Sequence, residues 1–123
     1  MLLTSDNINI YGIIGWPVKD SLSPLLQNSA FKHLKLNSIY TKFPVKSTNL
    51  QQSISGLRAL SIKGANITMP YKEKVCSKLD SLSEEAALIG AVNTVHNKDN
   101  KLIGYNTDGK GFYKALKSAN MDL

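Results

Sequence analysis

Cysteine occurs once in this chain, at Cys76, which removes an internal disulfide framework and any zinc-type cysteine cluster. Arginine also occurs once, as Arg58, and the lysines are scattered from Lys19 to Lys117 with no basic run interleaved with aromatics. The formal net charge of +6 therefore lacks the stripe that nucleic acid requires, and is compatible with a general attraction for anionic metabolites. No apolar run approaches the ~18 residues of a membrane span. The opening Met1-Leu2-Leu3-Thr4-Ser5-Asp6 has neither the charged region nor the long apolar core of a secretory signal. A cytoplasmic protein with no membrane or nucleic-acid partner is the simplest reading. Gly12 and Gly15 do not make a dinucleotide fingerprint, because the third glycine is missing and Pro17 interrupts. His33 and His96 have no spacing for a metal, and read as surface or packing residues.

What is present fits one globular domain, residues 1–123, with 42% hydrophobic residues and no internal repeat. Asn9 to Ile14 is β-branched and bracketed by Gly12 and Gly15, which predicts a strand. Ser23-Pro24 predicts a helix start, with the serine as N-cap and Leu26, Ala30, Phe31 and Leu34 on the inner face. Ser38 to Val45 reads as a second strand. Ser47-Thr48-Asn49 reads as the cap of a helix burying Leu50, Ile54, Leu57 and Leu60. Gly64 to Thr68 is a short strand ended by Pro70, and Tyr71 to Leu79 a helix. Ser83 caps a helix from Glu84 to Ile89, with two acids in its first turn. Ala91–His96 and Leu102–Tyr105 form a hairpin across Lys98-Asp99-Asn100, and Thr107–Ala119 is a last helix with Phe112, Leu116 and Ala119 inward. Strands alternating with helices predict a three-layer α/β/α domain with a mostly parallel sheet.

Four stretches carry polar chemistry at the ends of these elements: Ser21-Leu22-Ser23-Pro24, Gly64 through Lys72, Gly90-Ala91-Val92-Asn93-Thr94, and Asn106-Thr107-Asp108-Gly109. Open α/β sheets hold ligands at such places. Ser21 and Ser23 offer two hydroxyls at a helix N-terminus, a seat for a carboxylate; the other reading is that Ser23 only caps its helix. Asn66, Thr68 and Asn93 have the two-sided donor–acceptor chemistry that reads hydroxyls, or that makes turns. Lys72, placed at a helix start, can act as an acid or base if burial lowers its pKa, with Asp108 as its partner. On spacing alone, a solvated lysine and an aspartate capping a helix explain both residues as well. Cys76 reads as a small apolar residue, and Trp16 as a pocket wall or a packing residue.

Taken in order, Gly15-Trp16-Pro17, Ser21-x-Ser23-Pro24, Gly64-Ala65-Asn66-Ile67-Thr68-x-Pro70-Tyr71-Lys72, Gly90-Ala91-Val92-Asn93-Thr94 and Asn106-Thr107-Asp108-Gly109 resemble the substrate-binding domain of the shikimate dehydrogenase family, from Gly12 to about Leu116. The resemblance implies NADP-dependent reduction of 3-dehydroshikimate to shikimate, a step of aromatic amino acid biosynthesis. It implies Ser21 and Ser23 on the ring carboxylate, and Asn66, Thr68, Asn93 and Asp108 on ring hydroxyls. Lys72 is then the acid–base group, oriented by Asp108, and Glu84 a contact for the nicotinamide cofactor. Two departures stand out: Lys19-Asp20 precede the first serine where many members have histidine, and Trp16 replaces a common asparagine. Members continue into a Rossmann-type NADP domain, which the expectation places beyond Leu123. A stand-alone shikimate- or quinate-binding module, and a quinate/shikimate dehydrogenase fragment, are the alternatives. Members occur as monomers and dimers, so a homodimer is also possible.

Overall fold

Residues 7–118 are described by the computed structural model, apart from the side chains of Phe112, Ala115 and Leu116. In chain order the elements are β1 (Asn9–Gly15), α1 (Ser23–His33), β2 (Ser38–Pro44), a 3-10 turn (Ser47–Asn49) running into α2 (Leu50–Ala59), and β3 (Gly64–Ile67). A second 3-10 turn (Lys74–Lys78) leads to β4 (Ser81–Leu82), α3 (Glu84–Ile89), β5 (Thr94–Lys98), β6 (Lys101–Tyr105) and α4 (Asp108–Ser118). The strands make one six-stranded sheet in the order β2-β1-β3-β5-β6-β4. Only β5 is reversed, pairing antiparallel with β3 and β6, while β1–β2, β1–β3 and β4–β6 are parallel. The mostly parallel α/β sheet expected from the sequence is present.

The period-2 alternation of β1 divides the apolar residues between two faces. Ile14 enters a large cluster with Leu50, Ile54 and Leu57 of α2, together with Ile67, Tyr71, Val75, Val92, Val95 and Leu102. Its neighbour Ile13 faces the other way, into a small cluster with Val18 and Tyr40, against which Tyr11 and Phe31 pack. Helix α1 is fastened to that second face by a polar device. The Asn28 carboxamide donates to Tyr40 O (2.9 Å) and accepts from Tyr40 N (2.8 Å), as a further strand would. The free edge of β2 is thereby partly paired.

Several expectations are corrected here. Leu26 and Leu34 are exposed (67% and 62%), because anchoring α1 through Asn28 and Phe31 turns them outward. Ser23 is not the N-cap of α1: Leu22 holds that position, and the Ser21 hydroxyl accepts from Ser23 N at 3.2 Å. Ser47–Asn49 makes the 3-10 turn rather than a side-chain cap, and Leu60 is exposed beyond the end of α2. The helix expected over Tyr71–Leu79 is only the turn Lys74–Lys78, since Tyr71 is committed to the core, with its hydroxyl on Val45 O at 2.5 Å. The two-residue strand β4 lay outside the expectations. The hairpin turns at Asp99-Asn100, both at positive φ (51° and 70°), as a tight two-residue loop demands. Ser83 caps α3 as expected, accepting from Ala86 N. The opening residues 1–6, Ala119 and the inward faces expected of Phe112 and Leu116 lie outside what the structure describes.

Candidate active site

The ends of β3, β5 and β6 bring the scattered polar residues together. Lys72 lies in the turn after Met69-Pro70, one of two cis X-Pro bonds, the other being Trp16-Pro17. Its chain is fixed by the buried Tyr71 on one side and on the other by Lys72 O, which accepts from Val92 N at 2.8 Å. The Lys72 Nζ donates to Asp108 Oδ2 at 2.9 Å, across 36 residues of sequence. Both side chains stay open to solvent (36% and 58% exposed), so the pair lines a surface and is not sealed in the core.

The residue that caps α4 decides between the two readings of Asp108. Asn106, which is buried, accepts from Asp108 N at 3.0 Å through Oδ1 and donates to Ala91 O at 3.1 Å. Asn106 therefore does the capping, and the Asp108 carboxylate is left for Lys72 and Asn93. The latter donates to Asp108 Oδ1 at 2.8 Å and to Thr107 Oγ1 at 2.9 Å. The Asn93 Oδ1 accepts from Thr107 N and from the Thr94 hydroxyl, both at 3.0 Å. All four hydrogen-bonding positions of this carboxamide are thus taken within the protein. Its first effect is to fix Asp108; reaching a ligand requires exchanging one of these bonds. The Lys72 hydrogen bond, aided by Asn93, holds the Asp108 carboxyl below its ordinary value, although partial burial pushes the other way.

Asn66 projects from β3 onto the α1 side. Its Oδ1 accepts from the Tyr40 hydroxyl at 2.7 Å, and its Nδ2 reaches Asn93 O and Thr94 Oγ1, each at 3.3 Å. Burial raises the Tyr40 phenol to about 12, with a hydrogen bond from Ser23 opposing the rise, which puts Ser23 beside this group. Thr68 is half-buried at the end of β3. Its methyl fills the space a Cβ at Gly15 would occupy (2.3 Å), so only glycine lets the two strand ends approach. Gly90 closes α3 at φ 78°, in the left-handed region, and sends the chain toward Asn93.

Of the expected site residues, Asn66, Asn93, Lys72 and Asp108 fall on one bonded cluster, and Ser23 borders it through Tyr40. Ser21 is tied to Ser23 N, and Thr68 lies at the same strand edge. Glu84 is exposed in the first turn of α3, and no hydrogen bond among the described residues joins it to the cluster. Sequence reasoning assigned no role to Tyr40, Thr94, Thr107 or Asn106. Tyr40 looks like any inward strand residue, and only its register opposite Tyr11 on β1 hints at the α1 side. Burial raises the Cys76 thiol, in keeping with a packing role. Among the described residues no group of three or more His, Cys, Asp or Glu can hold a metal, and no helix is long and apolar enough to cross a membrane.

Comparison with known proteins follows the same residues. Residues 13–95 match the family model of the shikimate dehydrogenase substrate binding domain. The NADP(+) shikimate dehydrogenase of Pyrococcus furiosus is 55% identical over 108 residues, covering 88% of this chain and 40% of that protein. A crystal structure of shikimate 5-dehydrogenase from Listeria monocytogenes in complex with shikimate and NAD superposes with a TM-score of 0.91 at 42% identity, covering 98% of this chain and 41% of that one. The ligand-free 5-ketofructose reductase of Gluconobacter also superposes, with a TM-score of 0.87 at 35% identity over 92% of this chain and 41% of that one. The chain spans about two fifths of the length of the curated relatives it matches.

Proposed function

Because the chain belongs to the shikimate dehydrogenase substrate-binding domain family, we propose that it is the substrate-binding and proton-transferring part of an NADP-dependent enzyme interconverting 3-dehydroshikimate and shikimate. The observation that carries this reading is the Lys72–Asp108 ion pair, at 2.9 Å, with the Asp108 carboxylate freed from capping by Asn106. An ammonium so placed stabilises the negative charge that grows on a carbonyl oxygen as the carbon is reduced, and delivers its proton there. In the reverse direction the amine takes the hydroxyl proton. Ser21 and Ser23, at the N-terminus of α1, supply donors and the positive end of the helix for a ring carboxylate. Asn66, Thr68, Asn93 and Asp108 face the ring hydroxyls.

The Lys72–Asp108 site supplies the proton, and the end of β1 supplies no seat for the nucleotide. Gly12 and Gly15, the two glycines of β1, are filled by their neighbours: a Cβ would meet Phe43 at one and Thr68 at the other. They serve close packing of side chains and offer no phosphate cradle. The end of β1 therefore offers NADP no fitted seat, and no hydride step is assigned to the described residues. The role of Glu84 toward the cofactor rests on the family resemblance alone.

Calorimetric titration of the 123-residue chain with shikimate tests the reading. Weak binding, lost in the Ser21→Ala, Ser23→Ala double variant and retained in part by Lys72→Ala, is the expected result. Normal binding by the double serine variant removes the carboxylate seat. Shikimate-dependent NADP reduction by this chain alone contradicts the assignment of the cofactor site. The Gluconobacter neighbour favours testing a second reading, a polyhydroxylated ketone without a carboxylate. Tighter binding of 5-ketofructose than of shikimate selects it.

A further inference from the structure

The hydrogen bonds around Asn93 run in one direction, and the direction is forced. An ionised carboxylate only accepts, so Asn93 must turn Nδ2 toward Asp108 and Oδ1 toward Thr107 N and Thr94. With Thr94 donating to Asn93, the Thr94 oxygen accepts from Asn66 Nδ2, which also faces Asn93 O, another group that only accepts. Asn66 is then left with its carbonyl toward Tyr40, whose hydroxyl donates to it at 2.7 Å. The string is Tyr40, Asn66, Thr94, Asn93, Asp108, with every proton pointing toward the carboxylate. Its far end is the most rigidly mounted part: Tyr40 is 5% exposed, and its backbone N and O are both held by Asn28.

Resting on the function proposed above, we propose that Tyr40 is a positioning residue for the ligand seat: its hydroxyl locks the Asn66 carboxamide with the NH2 edge toward the ligand side, and through Thr94 steadies the Asn93–Asp108 contact. The bonds from Asn66 Nδ2 are long, at 3.3 Å each, and are the ones a ligand oxygen can replace. The 2.7 Å bond from Tyr40 keeps the amide from flipping while that exchange occurs. The consequence is selective. Asn66 is kept as a donor, so it favours a ligand oxygen that accepts at that place. A ligand carrying only the carboxylate takes nothing from it. The raised phenol, about 12, keeps Tyr40 protonated and hence a donor throughout the neutral range.

Tyr40→Phe keeps the ring and removes the hydroxyl. In the ligand-free chain the expected result, read by NMR, is a shift of the Asn66 and Asn93 side-chain amide signals and a rise in the carboxyl midpoint of Asp108. The Asn28 amide signals should stay in place, showing that β2 and α1 still pack. Unmoved Asn93 signals and an unmoved Asp108 midpoint overturn the proposal. With ligands, the affinity for shikimate falls about tenfold, in the range expected for one lost hydrogen bond, while that for cyclohex-1-ene carboxylate, which lacks the hydroxyls, changes less than about twofold. Equal losses for both show a merely structural tyrosine and also overturn it. Thr94→Val breaks the same string one link on without touching Tyr40, so a poorly folded Tyr40→Phe leaves the test standing: the Asp108 midpoint must rise in it too. If the unaltered chain binds no shikimate, the functional reading fails while the ligand-free signals still decide the role of Tyr40.

Discussion

The two faces of the sheet are built differently. On the α2 side, Ile54, Val75, Val92 and Leu102 are wholly buried in one continuous apolar cluster. On the α1 side the apolar cluster is small, a carboxamide fastens the helix, and the strand ends carry a string of polar groups leading to a solvent-facing ion pair. One face supplies stability, and the other is free to hold chemistry that a close-packed core would exclude. Polar groups on the open face need partners, and among the described residues no buried side-chain nitrogen or oxygen lacks one.

Substitutions on the two faces should therefore separate stability from binding. Ile54→Ala, on the sealed side, is expected to cost about 2–5 kcal/mol in urea unfolding, the range for a truncated buried side chain, with shikimate affinity of the folded fraction unchanged. A cost below about 1 kcal/mol breaks the comparison. On the open side, Ser21→Ala with Ser23→Ala is expected to reverse the pattern. Stability falls by about 1 kcal/mol, for the capping bond from Ser23 N, while shikimate binding drops beyond detection by calorimetry.

The difference between the faces also accounts for what the sequence disclosed. Five of the six strands, the hairpin and α3 were legible because β-branched runs, turn residues and the Ser83 cap act locally. The apolar face of α2 was legible up to Leu57 for the same reason, a period of 3.6 meeting a real core. The same rule failed on α1, where a long-range amide contact from Asn28 to Tyr40, not a hydrophobic stripe, sets the rotation of the helix. In the site, Lys72, Asp108, Asn66 and Asn93 stood out as polar residues at element ends, and the family resemblance supplied their expected roles. Spacing alone left Asp108 as a possible cap, and only the Asn106 bond to Asp108 N resolves it. Tyr40 and Thr94 bond to Asn66 from 26 and 28 residues away in the chain, a relation no local pattern carries.

Lys72→Ala sharpens the comparison with a smaller effect. Both members of the pair are substantially solvent-exposed, so removing the ammonium should leave the unfolding midpoint at neutral pH nearly unchanged. Affinity for shikimate should fall less than in the serine double variant, because a group acting mainly on the transition state adds little to ground-state binding. The clear signal is electrostatic. Lys72 is the main reason the Asp108 carboxyl lies below its ordinary value, so its midpoint should rise in the variant. The sign for stability follows: a depressed folded pKa contributes above the unfolded value of about 3.9 and is lost as the pH falls through the folded one. The intact chain should thus lose a little stability on acidification below about pH 4 that Lys72→Ala does not. Identical acid profiles would mean the ion pair is not formed in solution.

The smallest expected effect lies on the outer surface of α1. Leu22, Leu25 and Leu26 are each 67% exposed, although a helical stripe would have buried Leu26. A residue already in water gains nothing from folding, so Leu26→Gln should change stability by no more than about 0.5 kcal/mol and leave shikimate affinity unchanged. Sedimentation of the same variant completes the measurement. If Leu26→Gln instead costs as much as a core truncation and converts a larger species to monomer, these leucines are covered by a second copy, and the open face is open only in the isolated chain. If it costs nothing and the mass is unaltered, the rotation of α1 set by Asn28 holds in solution, and the exposed leucines are its direct consequence.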